Sequence, residues 1–267
     1  MAVGSELRII GVDCATKSRR AALAVGTYSS GALAIEWVKA GTGKGTLAEA
    51  SAAEILTLMD GPSVVLALDA PLGWPAPLAK ALTDHKAGER LGDLGDADRY
   101  VSRTTDAVVH KHLGVWPLDV GADLIARTAF AALELIAAIR RLGRELPMLW
   151  MPGEVRSAGV IEVYPKATLL GRGLTLKDYK SNQAARFEPA RRRLVDALCR
   201  EVTISAEDQQ AALASDDALD AIACVVAGKD FLDGNVVAPE AGERVLAERE
   251  GWIWFRKPNA REATVPP

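Results

Sequence analysis

Two short runs, Leu7–Asp13 (LRIIGVD) and Ser63–Asp69 (SVVLALD), constrain the fold of this chain more than any other feature. Both are dominated by aliphatic and β-branched residues, the profile of a buried strand, and both close on an aspartate. After the first, Ala21–Tyr28 and Ala32–Lys39 read as strands joined by the tight turn Ser29-Ser30-Gly31, which completes an antiparallel meander of three. Helical spacing predicts a helix over Thr46–Asp60, stopped by Gly61-Pro62. The loop Ala70–Pro77 contains three prolines and cannot be regular structure. The stretch from Leu78 to Pro152 reads as helical, most clearly over Val120–Gly143, an Ala- and Leu-rich amphipathic run. Gly159–Tyr164 (GVIEVY) predicts a further strand ended by Pro165, and helices follow over Gln183–Glu201 and Ala206–Val226.

Three meandering strands followed by helix-crossed strands is the order of an α/β ribonuclease H-like fold: a mixed five-stranded sheet flanked by helices. The pattern predicts a single domain over residues 1–267, with a helical insertion at about 75–157 forming a cap beside the sheet end that carries the aspartates. Composition agrees with a globular protein. Hydrophobic residues make up 49% and charged residues 25% of the 267, which excludes a disordered chain, a collagen-like repeat and a coiled-coil rod. The apolar runs are interrupted by charges and are too short to span a bilayer. Residues Met1–Leu7 lack the basic start and apolar block of a secretory signal. Three cysteines, Cys14, Cys199 and Cys224, show no metal-ligand spacing and suit a reducing, cytoplasmic compartment. The formal net charge of −3 gives no general attraction to nucleic acid, so a polyanion would need a local basic patch or a bound cation.

Acids at strand ends carry the functional signal. In the expected fold Asp13 and Asp69 end neighbouring strands, and Asp217 and Asp220 sit three residues apart on one helix face. Taken singly, each has an ordinary reading as a turn former, a helix cap or a solvated charge, and Asp216 is placed as a residue of the helix start. Taken together, crowded carboxylates destabilise a fold unless protons or cations neutralise them. Two divalent ions ~4 Å apart would do so and would clamp a phosphodiester. All-oxygen ligands favour Mg²⁺ or Mn²⁺ over zinc.

Six segments in order, GVDCATKSRRAALA, ALDAPLGWP, RTTDAVVHKHLG, IEVYPKATL, DDALDAIACVVAG and EGWIWF, resemble the family called domain of unknown function 429, from about residue 8 to 256. Its members are described as ribonuclease H-like nucleases on the strength of their fold. Asp217-Ala-Leu-Asp220-Ala-Ile-Ala is also similar to the D-x-x-D-A-x-A helix of RuvC-type Holliday-junction resolvases, which carry glutamate where Asp69 stands here. The resemblance implies metal ligation by Asp13, Asp69, Asp217 and Asp220, with Mg²⁺ or Mn²⁺ as cofactor and nucleic acid as partner.

Further candidates surround this set. Glu162 alternates with Ile161 and Val163 and so faces away from them; it reads equally as a ligand or general base and as a structural edge acid. Arg103 suits a phosphate or an ion pair with Asp106, while Lys17 and Lys166 offer phosphate contacts. Other signals fail. Gly41–Thr46 lacks phosphate-loop spacing, because Val38 stands where the first glycine belongs. His110 and His112 lie on different helix faces, Arg191–Arg193 read as a solvated helix surface, and Trp252 and Trp254 as core. The leading expectation is a metal-dependent nuclease with a two-metal carboxylate site. An ATP-binding phosphotransferase of the actin and sugar-kinase superfamily is the alternative, echoed by Asp13-Cys-Ala-Thr-Lys17 but lacking the second phosphate loop and the adenosine motif. A noncatalytic nucleotide- or partner-binding module of the same fold is the third.

Overall fold

A computed structural model describes residues 6–41, 43–91 and 97–258 of the chain. Most of the amino-terminal segment Met1–Leu7, Thr42 of the glycine-rich loop, and positions 92–96 of the expected helical stretch lie outside the described residues.

The first three strands, β1 (Leu7–Asp13), β2 (Ala22–Ser29) and β3 (Ala32–Ala40), form the expected antiparallel meander. Helix α1 (Leu47–Leu58) opens on a reciprocal cap, in which Thr46 accepts from the Glu49 N–H and Glu49 accepts from the Thr46 N–H. It leads into β4 (Ser63–Asp69), which pairs parallel with β1. Between β4 and the last strand lie α2 (Ala76–Leu82), α3 (Thr104–Leu113) and α4 (Asp123–Arg141). This insertion is less helical than the sequence suggested. The chain turns at Gly114, whose φ of 69° closes α3, and residues 142–157 hold no helix among them. Strand β5 (Ala158–Val163) joins β4 in parallel, giving a sheet of order β3-β2-β1-β4-β5. This is the ribonuclease H-like arrangement that the strand order predicted.

Helices α5 (Pro165–Leu170), α6 (Ala184–Leu198), α7 (Ala206–Ala214), α8 (Asp216–Leu232) and α9 (Arg244–Glu250) complete the described elements. The single helix expected over Ala206–Val226 is two. The backbone leaves the helical region at Ser215 (φ −129°, ψ 127°), and the Ser215 hydroxyl accepts from the Ala218 N–H to start α8. Helical periodicity continues across the break, so only the serine marks it.

Period-two alternation divides the sheet between two cores. Ile10, Val12, Leu66, Leu68 and Val160 face Ile55 of α1 and Leu135, Ile136 and Ile139 of α4. Ile9, Val65, Ala67, Ile161 and Val163 face the opposite side, against Leu219, Ile222 and Val226 of α8. The carboxyl-terminal GWIWF segment belongs to this second core. Trp252, Trp254 and Phe255 are all buried, and the Trp254 N–H donates to the Glu162 carbonyl at 2.9 Å. Among the described residues no helix is long and apolar enough to cross a membrane.

Helix α8 lies unusually close to the sheet because glycines let it. A Cβ at Gly11 of β1 would sit 2.8 Å from both Cγ2 and the backbone N of Val225, and one at Gly26 of β2 would sit 2.8 Å from Val225 Cγ1. Replacing Gly by Ala in a strand ordinarily costs nothing and removes unfolded-chain entropy. At Gly11 the sign should reverse. Gly11→Ala should destabilise by about 1–3 kcal/mol through overpacking. That lowers the midpoint of thermal unfolding by roughly 2–4 °C per kcal/mol in a chain of this size. An unchanged or higher midpoint would show that α8 is free to shift.

Candidate functional site

The parallel register places Asp13 directly beside Asp69 at the carboxyl ends of β1 and β4. Counting in twos from Ile9 and Val65, both side chains project to the α8 face. The close approach of α8 over Gly11 then brings Asp220, which precedes Ala221 in that contact, against them. One carboxylate oxygen from each of Asp13, Asp69 and Asp220 lies within 4.8 Å of the others. Asp13 and Asp69 are half-buried and Asp220 is buried.

Such proximity raises the cost of ionisation. Burial, then Asp69, Asp220 and Asp217, push the Asp13 carboxyl well above the ordinary carboxylate range. Burial and Asp220 lift Asp69 to about 7, against the pull of Lys180. Asp220 is raised chiefly by burial, and Lys180 moderates the effect. Lys180 is the one cation that touches the triad among the described residues, its Nζ lying 2.6 Å from Asp220 Oδ2. Burial opposes its charge, but Asp220, Tyr179 and Asp69 outweigh that and hold the ammonium above its usual range. Three carboxylates and one ammonium, all ionised, leave two negative charges uncompensated.

Lys180 and its neighbour Tyr179 went unnoticed in the sequence because they lie in a loop with no motif. A buried arginine holds them in place. Arg191 donates from Nε to the Tyr179 carbonyl (2.8 Å), from Nη1 to the Leu213 carbonyl (3.2 Å) and from Nη2 to Asp216 (3.0 Å). The expectation that Arg191–Arg193 form a solvated surface therefore fails at Arg191, whose guanidinium ties the Lys180 loop to the start of α8. Asp216 keeps its expected place at the helix start and acts as the anchor of that tie.

The remaining candidates are distributed as follows. Asp217 is half-buried one turn before Asp220 and outside the close group, though its charge is felt at Asp13. Glu162 has the opposite strand parity to Asp13 and Asp69 and meets Arg103 instead, Nη1 to Oε1 at 2.8 Å, with both side chains 1% exposed. The second Glu162 oxygen accepts from the Leu72 N–H. Arg103 adopts the ion-pair alternative, with Nε and Nη2 on the two oxygens of Asp106 and Nη1 also reaching the Glu250 carbonyl. Burial opposes the guanidinium charge, but Glu162 and Asp106 outweigh it and Arg103 stays protonated. With every donor nitrogen occupied, Arg103 and Glu162 brace the site and leave phosphate contact to others. Lys166 lines the cavity beside the triad, whereas Lys17 is exposed and does not.

That cavity has a volume of about 630 Å³. Asp69 and Asp220 form part of its lining, together with Tyr164, Tyr179, Lys180 and residues from the insertion. Oxygens that share one hard cation at roughly 2.0–2.6 Å lie no more than about 4–5 Å apart. The three aspartates meet that spacing, and their hard, anionic donor set suits a divalent ion of the magnesium class. The fit is to one ion held by three acids, because Asp217 does not converge on the same point.

The raised carboxyls have a thermodynamic consequence in the metal-free protein. An unfolded aspartate titrates near 3.9, whereas folded Asp69 titrates at about 7. Between these values the folded state keeps a proton that the unfolded state releases, so stability falls as pH rises through the window. Asp69→Asn removes the conflict. In chelator the variant should match the parent near pH 4 and exceed it above pH 7 by up to about 4 kcal/mol, at ~1.4 kcal/mol per pKa unit, with roughly 2–4 °C of melting midpoint for each kcal/mol. An equal offset at both pH values would show that the Asp69 charge is not under strain.

No curated protein and no solved structure matches the chain. One family model does, over residues 11–244, which include the end of β1 with its aspartate, β4, β5 and the whole of α8. The chain thus belongs to the family described as Protein of unknown function (DUF429).

Proposed function

We propose that the protein is a divalent-cation-dependent phosphodiesterase acting on nucleic acid, with Asp13, Asp69 and Asp220 as the residues that hold the ion. The observation that carries this reading is the convergence of three carboxylates, only partly neutralised by Lys180, beside a cavity large enough for substrate. A fold does not keep such a charge cluster for stability, and raised carboxyls in a cleft are a mark of function. Mg²⁺ or Mn²⁺ at this point would neutralise the acids and polarise a phosphoryl oxygen.

The chain's own residues supply the rest. Lys180, half-exposed, can exchange its contact with Asp220 for one with a phosphoryl oxygen while Arg191 keeps the loop in place through the Tyr179 carbonyl. Lys166 offers a second cation from the cavity wall. The buried Arg103–Glu162 pair fixes the loop after β4 through the Leu72 N–H, and so fixes the direction in which Asp69 points. In the reaction, water adds to phosphorus and the bond from phosphorus to one sugar oxygen breaks, leaving a phosphomonoester and a free hydroxyl. The three clustered acids account for one of the two expected ions, and Asp217 adds negative potential from one turn away.

Asp13→Asn and Asp220→Asn keep side-chain shape and remove a charge. Each should reduce Mn²⁺-dependent cleavage of DNA or RNA at least ~100-fold, the scale of losing a principal electrostatic contributor. The metal-free melting midpoint should hold or rise, most clearly for Asp13→Asn, which leaves the Lys180 contact in place. Saturating Mn²⁺ should stabilise the parent by about 2.7 kcal/mol at 100 times Kd, and the variants far less. Equal Mn²⁺ stabilisation of parent and Asp13→Asn would remove these acids as ligands, and the phosphodiesterase reading with them.

A further inference from the structure

The cavity beside the triad is chemically divided. The wall supplied by the segment between α3 and α4, with the first turns of α4, presents Pro117, Leu118, Ile125 and Thr128 and no charged side chain. Leu118 is 64% exposed, an apolar side chain held at a cavity where no core contact hides it. The stretch following β5 instead supplies three cations, Lys166, Lys180 and Arg186, with Asp178 3.9 Å from Arg186. Asp69 and Asp220 lie on the same lining.

A nucleotide has this same division, an apolar and stackable base joined through a sugar to an anionic phosphate. The cavity volume of about 630 Å³ falls within the ~300–1,000 Å³ of sites that enclose a small molecule. A paired base inside a duplex cannot enter a concave pocket; only an unpaired or extruded nucleotide can. We propose that the cavity receives one unpaired nucleotide of a single strand at a time. The base lies against Pro117, Leu118 and Ile125, and the adjoining phosphate lies between the acidic triad and Lys166 and Lys180. What becomes of the phosphate rests on the phosphodiesterase reading; the seat for the base does not.

The test uses the full chain in two arms. In the first, Mn²⁺-dependent cleavage is compared on a single strand and on the duplex of the same sequence. In the second, thymidine 5′-monophosphate and 2-deoxyribose 5-phosphate are titrated by calorimetry, with and without Mn²⁺, so that the base alone differs. The single strand should be cut at least ~10-fold faster than the duplex, and the base should add about tenfold in affinity, toward the lower end of base stacking on side chains. Leu118→Ser, which removes the apolar side chain without adding charge, should abolish both advantages while the affinity for 2-deoxyribose 5-phosphate falls less than about twofold. Val245→Ser, at a 70% exposed position outside the cavity, should change neither. Equal cleavage of duplex and single strand, equal affinity for the two monophosphates, or an indifferent Leu118→Ser would overturn the inference. If nothing is cleaved under any condition, the phosphodiesterase reading alone fails, and the monophosphate titration still decides whether the base has a seat.

Discussion

Repulsion among Asp13, Asp69 and Asp220 is the constraint that the rest of the structure answers. Two of the acids are fixed by strand pairing, since the parallel register of β1 and β4 sets Asp13 beside Asp69 whatever their charge. The third is delivered by a helix that contacts the sheet through glycine and therefore cannot retreat without losing packing along β1 and β2. Backbone hydrogen bonds and close-packed aliphatic side chains are stiff, and local electrostatic strain is small beside them. The fold imposes the conflict and then relieves part of it with Lys180, whose loop is clamped by Arg191.

A second charged centre, with no net conflict, sits on the other parity of β5. Arg103 lies between Asp106 and Glu162 with a partner at each of its three nitrogens, so burial of these ions is compensated and gives a rigid strut. The two centres show the same residue types in opposite roles. At the strut both carboxylates bind the same guanidinium directly; at the triad three carboxylates share one ammonium, and room remains beside them. The difference, more than the presence of acids, separates a candidate site from scaffold.

Much of this was legible in the chain. The two buried strands closing on aspartates, the meander and the Asp217–Asp220 helix pointed to a mixed five-stranded sheet with Asp13 and Asp69 on adjacent strands, and named all three converging acids. Strand alternation also contained the fate of Glu162, because its opposite parity to Ile161 and Val163 already directed it away from the α8 face. Contacts between loops were not legible. Lys180 lies in no periodic pattern, and Arg191, although it shares the buried face of α6 with Leu194, Val195 and Leu198, reads in the chain as one of three consecutive arginines; both acquire their roles only when α6, α7 and α8 are folded around the Tyr179 loop. The break at Ser215 was missed for a related reason: the apolar spacing runs through it, and a lone serine has too many ordinary uses to mark a boundary.

Glu250 shows how distant segments depend on one another. Its buried carboxylate accepts from the Ala76 N–H with one oxygen and from the Thr104 N–H with the other, capping the first turns of α2 and α3 together. Its own carbonyl accepts from Arg103, and the segment after it runs alongside β5. Chains emerge from the ribosome amino terminus first, at a few to some tens of residues per second. The meander, β4 and the packing of α4 on α1 use residues made early, but α2 and α3 lack their shared cap until residue 250 has been synthesised. The start of α3, from which Arg103 reaches Glu162, is therefore fastened by one of the last segments to leave the ribosome.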